Sequence, residues 1–429
     1  MAVLRPRFWL CMLALVLPLG ESQRLGAAMS VVKLVVGLVI LSGLAWLAVR
    51  GRAVRRTPID IPLLVFVSAL LPSFLLSRDT DGMLVVFIAF VGYFILNLVV
   101  TNFASDGVAL RQIAVAVTVG VAATALFGIV QFTTGETFLQ QATGREALYK
   151  WDLPSEEDLP GQEAVRTYRV LGTARNPSTF AANFVLGLPI LLGLYLASHR
   201  RWQQTMLLSA FLLGGITLVL TFSRGGLVAA LAGVSVTTLI GAGRRGGWRR
   251  TALILALVAG GLLALGASQV AYYALPFNRL GEDVSARERL LVIRPAIQIF
   301  LDHPLVGIGF LESTRMLARY REDVLEGMNI HNDFLAIATE LGLFGLVPFL
   351  AVLVIAVRHG VRAARRAPDP DLRGLAAGFL GGLVGLLGMG ASHMQYMNVG
   401  LWFAMSLTLA VATAARNGAA GRRRSRVSA

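Results

Sequence analysis

The sequence predicts an all-α integral membrane protein of about 12 transmembrane helices, with two long extracytoplasmic loops containing short helices. Composition is the first reason: the residues AVILMFWYC make up 56% of the 429-residue chain and only 15% is charged, where a soluble domain carries about a quarter. Patterning is the second. The apolar residues come in runs of about 20, the length that crosses a ~30 Å hydrocarbon core, in place of the amphipathic stripes of a soluble core. The third is charge, which falls on one side of an alternating topology.

Twelve spans can be drawn, at roughly 8–21, 30–49, 60–77, 82–103, 112–133, 178–197, 204–222, 225–243, 251–273, 335–357, 374–392 and 395–415. The start, Arg5-Pro6-Arg7 before an apolar run, resembles a signal peptide, but no A-x-A-like site follows, and it reads as a retained first helix. With the N-terminus cytoplasmic, alternation puts 23 arginines against four acids in cytoplasmic segments, from Arg5 and Arg7 through Arg111 and the 358–373 cluster to the tail. Both termini are therefore expected in the cytoplasm. The net charge of +15 could suggest nucleic acid; the positive-inside rule accounts for it instead, and the GRRRSR tail is expected to face membrane lipids. The only cysteine is Cys11, so no disulfide or cysteine metal site forms within one chain.

The chain reads as a single polytopic membrane domain over 1–429. Two connections are long: 134–177, between spans five and six, and 274–334, between spans nine and ten. Loops of this length are usually functional or disordered; their aromatics and dense charge point to order. No Walker A pattern, zinc-type spacing or G-x-S-x-G occurs.

The chemistry-bearing residues cluster around these loops. His331 and Asn332 open span ten, where free N–H groups and partial positive charge disfavour imidazolium. A neutral imidazole there can act as a general base. The plainer alternative is an Asn N-cap beside an interfacial His. A helix from about 287 puts Arg289 in line with Ile293, Ala296 and Phe300 on the apolar face, with Arg287 and Arg294 on the flank. A buried arginine is costly unless an anion meets it, or unless it snorkels to the interface. Asp302-His303-Pro304 ends that helix, and the glycines of VGIG allow a tight turn. Arg224, in TFSRGG between spans seven and eight, is a lone cation suited to a diphosphate through its planar fork, or an interfacial anchor. Arg166, Arg169 and Arg175 add cations to the first long loop, or serve only its solubility. Glu340, inside span ten and near Asp333, is either a functional carboxylate, the default for an intramembrane acid, or, the preferred reading, paired with a neighbouring arginine to fix the site. No acid cluster is spaced for Mg²⁺, so no metal or other cofactor is expected and the arginines would do the charge work.

These residues resemble the O-antigen ligase/polymerase superfamily. His331, Asn332, nine residues, Gly342, two residues and Gly345 match the family's ligase pattern, H-N-x9-G-x2-G. SRGG at 223–226, R-x4-R…F-x-DHPLVGIG at 289–309 and RNPSTFAANFVLGLPI at 175–190 resemble its shared regions. Ile293 departs, where many relatives carry Trp. The resemblance implies a GT-C-like fold in the bacterial inner membrane, a periplasmic active site, and an inverting, metal-independent glycosyl transfer from an undecaprenyl-diphosphate-linked glycan. In a ligase the acceptor is a lipid A–core sugar; in a polymerase it is another lipid-linked repeat unit. His331 would deprotonate the acceptor hydroxyl, Arg224 and Arg289 would bind the departing diphosphate, and Asn332 would position the base or a sugar. A flippase or other transporter is the reading from a different class; such proteins place their charges near the membrane midplane, not in paired outer loops.

Overall fold

The protein was analysed as a computed structural model that describes residues 5–20, 30–50, 53–134, 170–174, 176–241, 260, 284–321, 324 and 328–427, with the side chains of 284–288 and 419–427 outside it. The described residues form helices and turns. In chain order the helices are α1 (Pro6–Val16), α2 (Val31–Arg50), α3 (Asp60–Ser68), α4 (Ser73–Leu76), α5 (Thr80–Phe103), α6 (Gly107–Thr134), α7 (Pro177–Leu196), α8 (Arg201–Leu220), α9 (Arg224–Gly241), α10 (Val284–Asp302), α11 (Ser313–Tyr320), α12 (Asp333–Arg366), α13 (Pro370–Gly390) and α14 (Val399–Val427). Among the described residues nine helices are long and apolar enough to cross a membrane: α2, α5 to α9, α12, α13 and Val399–Gly418 of α14. The chain is an all-α integral membrane protein.

The other three expected spans fare differently. The first is a shorter apolar helix, Pro6–Leu19. The third, Asp60–Leu76, is also a shorter apolar helix, in which α3 passes to α4 through tighter i→i+3 bonds around Pro72, whose missing N–H removes one α-helical bond. The ninth, 251–273, lies outside the described residues but for Gly260.

The most enclosed helices are α7, α13 and α14. Lipid offers no hydrophobic drive between helices, so close packing must hold them, and glycine supplies it. Gly193 of α7 meets the backbone of Gly374 and Gly378, and Gly233 of α9 meets that of Gly381. An aromatic block closes the other flank. Trp402 stacks on Tyr93, with ring centroids 5.6 Å apart, and meets Phe66, Phe90 and Phe349, tying α14 to α3, α5 and α12.

The bundle has two chemically different ends. At one, Arg7 bonds Asp106, and Arg111 and His199 share Asp371 at 3.5 and 2.9 Å. Segments that alternation assigned to one side thus meet in space. The opposite end gathers the start of α7, the α8–α9 turn, α10, α11, the start of α12 and the 391–398 segment.

One break positions that second end. The sequence suggests a continuous span ten, yet Gly342 sits inside α12 at φ 59, ψ −158. The loop after α10 lays its backbone into the gap. Leu343 and Phe344 N–H donate to the carbonyls of Pro304 and Leu305 at 2.8 and 3.0 Å; Ile308 and Gly309 N–H donate to those of Thr339 and Glu340 at 3.2 and 3.0 Å. Four groups orphaned by the break are thereby satisfied, as buried backbone requires. A Cβ on Gly342 would strike the Leu305 carbonyl. VGIG does turn tightly, with Gly307 at φ 69 and Gly309 at φ 99. Gly345 leaves room for the side chain of Leu341 across the break. The glycine half of H-N-x9-G-x2-G is therefore scaffold.

Candidate functional site

His331 stands just before α12 and is half-buried. Its Nδ1 is buried with no hydrogen-bond partner among the described residues. Burial, and then the charge of Arg289, hold its pKa below the ordinary histidine value. The sequence led us to expect a neutral imidazole on account of the helix N-terminus; the causes that lower its pKa here are burial and Arg289 instead.

Asn332 is the N-cap of α12. Its Oδ1 accepts from Leu335 N–H at 2.9 Å, and its Nδ2 donates to the Ala391 carbonyl at 3.1 Å. Both ends of the amide are committed to backbone, so it fixes the approach of the 391–398 segment to His331.

Arg289 lies on the inner stripe of α10 with Val292, Ala296 and Ile299, all buried. Ile293, expected on that stripe, is 40% exposed: the buried face follows 292, 296 and 299 rather than 293, 296 and 300, a rotation of under a third of a turn. Arg289 is half-buried, and its Nε is buried without a partner among the described residues. Its charge bears on both His331 and His393. A half-buried guanidinium with an unmet donor is the arrangement that an anion completes. Arg294, five positions on, is exposed and does not share this buried stripe. The side chain of Arg287 lies outside the described residues, as do Arg166, Arg169 and Arg175.

Arg224 opens α9. The α8–α9 turn is tight because Phe222 takes a left-handed conformation, φ 49, a costly state for a bulky residue that tends to mark functional sites. Gly225 packs on the Ser392 hydroxyl, and Ser223 Oγ donates to Ser178 Oγ at 3.4 Å. SRGG is thus seated between the first turn of α7 and the 391–398 segment, on the rim that carries the histidines.

Sequence reasoning missed one residue of this rim. The His393 ring lies parallel to that of His331, with centroids 6.1 Å apart and planes 7° apart. Its Nε2 meets Thr179 Oγ1 at 3.3 Å. Burial, then His331 and Arg289, push its pKa down to about 4. The available signal was an isolated histidine between spans eleven and twelve, on the same side as His331 in a chain with only five.

Glu340 corrects an expectation. It does lie on the face of Asp333, but its partners are the hydroxyls of Ser313 and Tyr396 and the N–H groups of Leu311 and Ser313, and not an arginine. Ser313 Oγ donates to it at 2.6 Å and Tyr396 Oη at 3.5 Å. Asp333 Oδ1 accepts from Gln395 N–H at 2.7 Å. These carboxylates pin α11 and the 391–398 segment to α12. Among the described residues no three His, Cys, Asp or Glu side chains gather as a metal site would need.

Residues 208–350 match the O-antigen ligase family model. The match takes in Arg224, Arg289, His331 and the Gly342 break, and it stops short of His393. No curated protein matches the chain.

Proposed function

Taking the chain as a membrane enzyme of the O-antigen ligase/polymerase superfamily, we propose the ligase reaction: transfer of a polysaccharide from undecaprenyl diphosphate to a lipid A–core hydroxyl, with inversion and without a metal. The arginine-rich end would be cytoplasmic, both termini included, and the histidine end periplasmic, in the bacterial inner membrane on a GT-C-like scaffold. The observation that carries this reading is the pairing of His331, a base whose pKa is held down, with Arg289, whose buried Nε has no partner among the described residues. His331 Nε2 takes the acceptor hydroxyl proton as the new glycosidic bond forms. The bond to the diphosphate breaks with its electron pair, and Arg289 and Arg224 meet the charge that develops there. Asn332 holds the base in place. The H-N-x9-G-x2-G match motivates the ligase reading; relatives that polymerise carry similar stretches, and the lipopolysaccharide pattern of a deletion strain separates the two.

A deletion strain tests the assignment by electrophoresis of its lipopolysaccharide. Full-length polymer should vanish from lipid A–core and persist on the lipid carrier. A single repeat unit attached to core would show a polymerase instead.

The coupling of Arg289 to the base has its own signature. Transfer fails once His331 is protonated, so the acidic limb of kcat/KM lies below the ordinary histidine pKa of about 6.5. Arg289→Gln removes a charge that lowers that pKa. The limb should then move to higher pH, while kcat falls on the order of 10²-fold as the leaving group loses its partner. A limb that stays in place while activity falls would uncouple Arg289 from the base.

A further inference from the structure

α10 carries two apolar faces, where a helix packed on one neighbour needs one. At about 100° per residue, three arcs of about 80° each stand out around it. Arg289, Val292, Ala296 and Ile299 form the inner stripe, on the side of α12, where Thr339 Oγ1 donates to the Ala296 carbonyl at 3.3 Å. Leu290, Ile293, Ile297 and Leu301 form a second apolar arc on the far side. All four are exposed, Leu290 and Leu301 by 68% and 66%. Arg294, Gln298 and Asp302 lie beside them and are exposed too. The outer surface of α10 is thus divided lengthwise, apolar on one half and polar on the other. A row of four large aliphatic side chains marks a contact surface rather than a solvated one, and a boundary between hydrocarbon and water suits both halves at once.

The apolar arc does not stand alone. It is followed by Leu305 and Val306, both exposed. Leu343 and Phe344 of α12 dock on this loop by donating to the carbonyls of Pro304 and Leu305. They are exposed in turn, and they begin a row that runs down α12 through Val347, Leu350 and Val354. α12 is long and apolar enough to cross a membrane, so acyl chains cover that row. The arc on α10 continues it.

We propose that α10 is an amphipathic helix embedded in the leaflet at the histidine end of the bundle. Its Leu290, Ile293, Ile297 and Leu301 arc lies among acyl chains, and its Arg294, Gln298 and Asp302 arc lies among head groups. Residues 290–306 of the second long loop are then membrane-bound and not in water. Lipid is the occupant that the two arcs select together: the apolar one extends a lipid-facing row, and the polar one sets a cation beside it, where a flexible arginine reaches phosphate. Arg289 stands at the seam between the lipid-facing arc and the inner stripe. For the reaction proposed above, this holds its guanidinium at the depth where a lipid-linked diphosphate carries its charge. The placement itself does not depend on that reaction.

The test uses the full-length protein with Cys11→Ser, which removes the only native cysteine. Single cysteines are introduced, labelled with bimane and reconstituted in phosphatidylcholine vesicles. Quenching is then read with nitroxide on the acyl chains and with aqueous iodide. Ile293→Cys, Ile297→Cys and Leu301→Cys should be quenched by the lipid nitroxide as strongly as Val347→Cys on α12, and several-fold more than Gln298→Cys or Arg319→Cys. Iodide should give the reverse order. Three positions on the arc cover a variant that fails to accumulate. Iodide quenching at Ile297→Cys equal to that at Arg319→Cys would put α10 in water and overturn the proposal. Protection of the arc from both quenchers would overturn it too, since protein would then cover the arc, either a second copy of the chain or residues 251–273. No reading uses transfer activity, so failure here is distinct from failure of the ligase assignment.

Discussion

His331→Ala should abolish transfer while leaving the protein inserted and as stable as the wild type. A positioned general base contributes about 10²- to 10⁴-fold, or roughly 3–5 kcal/mol of barrier at 1.36 kcal/mol per tenfold. Stability should be spared for a structural reason: among the described residues the buried Nδ1 has no hydrogen-bond partner that the variant would remove. The α12 cap belongs to Asn332, and the carboxylate ties belong to Asp333 and Glu340. The measurement is transfer from a lipid-linked donor by purified variant, beside thermal unfolding in the same detergent. Wild-type product would remove the assignment of the base. Lost product with a lowered unfolding temperature would make His331 a structural residue instead.

The span pattern was legible because twenty-residue apolar runs have one physical meaning in a chain this poor in charge. His331, Arg289 and Arg224 were legible because each is a polar residue set where an apolar or neutral one would cost less. The site's other half was not legible, for reasons of distance. His393 lies 62 residues beyond His331, and nothing local distinguishes a histidine of this rim from an interfacial one. Glu340 invited an arginine partner because charge pairing is the usual remedy for a buried carboxylate. Its hydroxyl partners come from α11 and the 391–398 segment, whose approach no periodicity encodes. Ile293 shows the limit of helical projection: a small rotation exchanged it for Val292. The break at Gly342 was hidden because apolar residues continue on both sides, so the run reads as one helix.

Gly342→Ala tests that break, and its effect should fall on folding and not on chemistry. At φ 59, ψ −158 an L side chain is strained by about 1–3 kcal/mol. The added Cβ would also press on the Leu305 carbonyl, which is backbone and cannot swing aside. Relief would require the 304–309 loop to withdraw, breaking four backbone hydrogen bonds between it and α12. Each buried group left unpaired costs about 1–3 kcal/mol, so the total rivals the net stability of a typical domain, about 5–15 kcal/mol. The variant should accumulate poorly or unfold well below the wild type. Activity should fall with it, because the same loop ends α10 and so sets where Arg289 meets His331. A variant of normal unfolding temperature would mean that α12 can close over position 342 as a continuous helix. Arg289 would then owe its place to α10 packing alone. Read against His331→Ala, the pair separates the two halves of H-N-x9-G-x2-G: the histidine should govern rate at constant stability, and the first glycine should govern stability and, through it, rate.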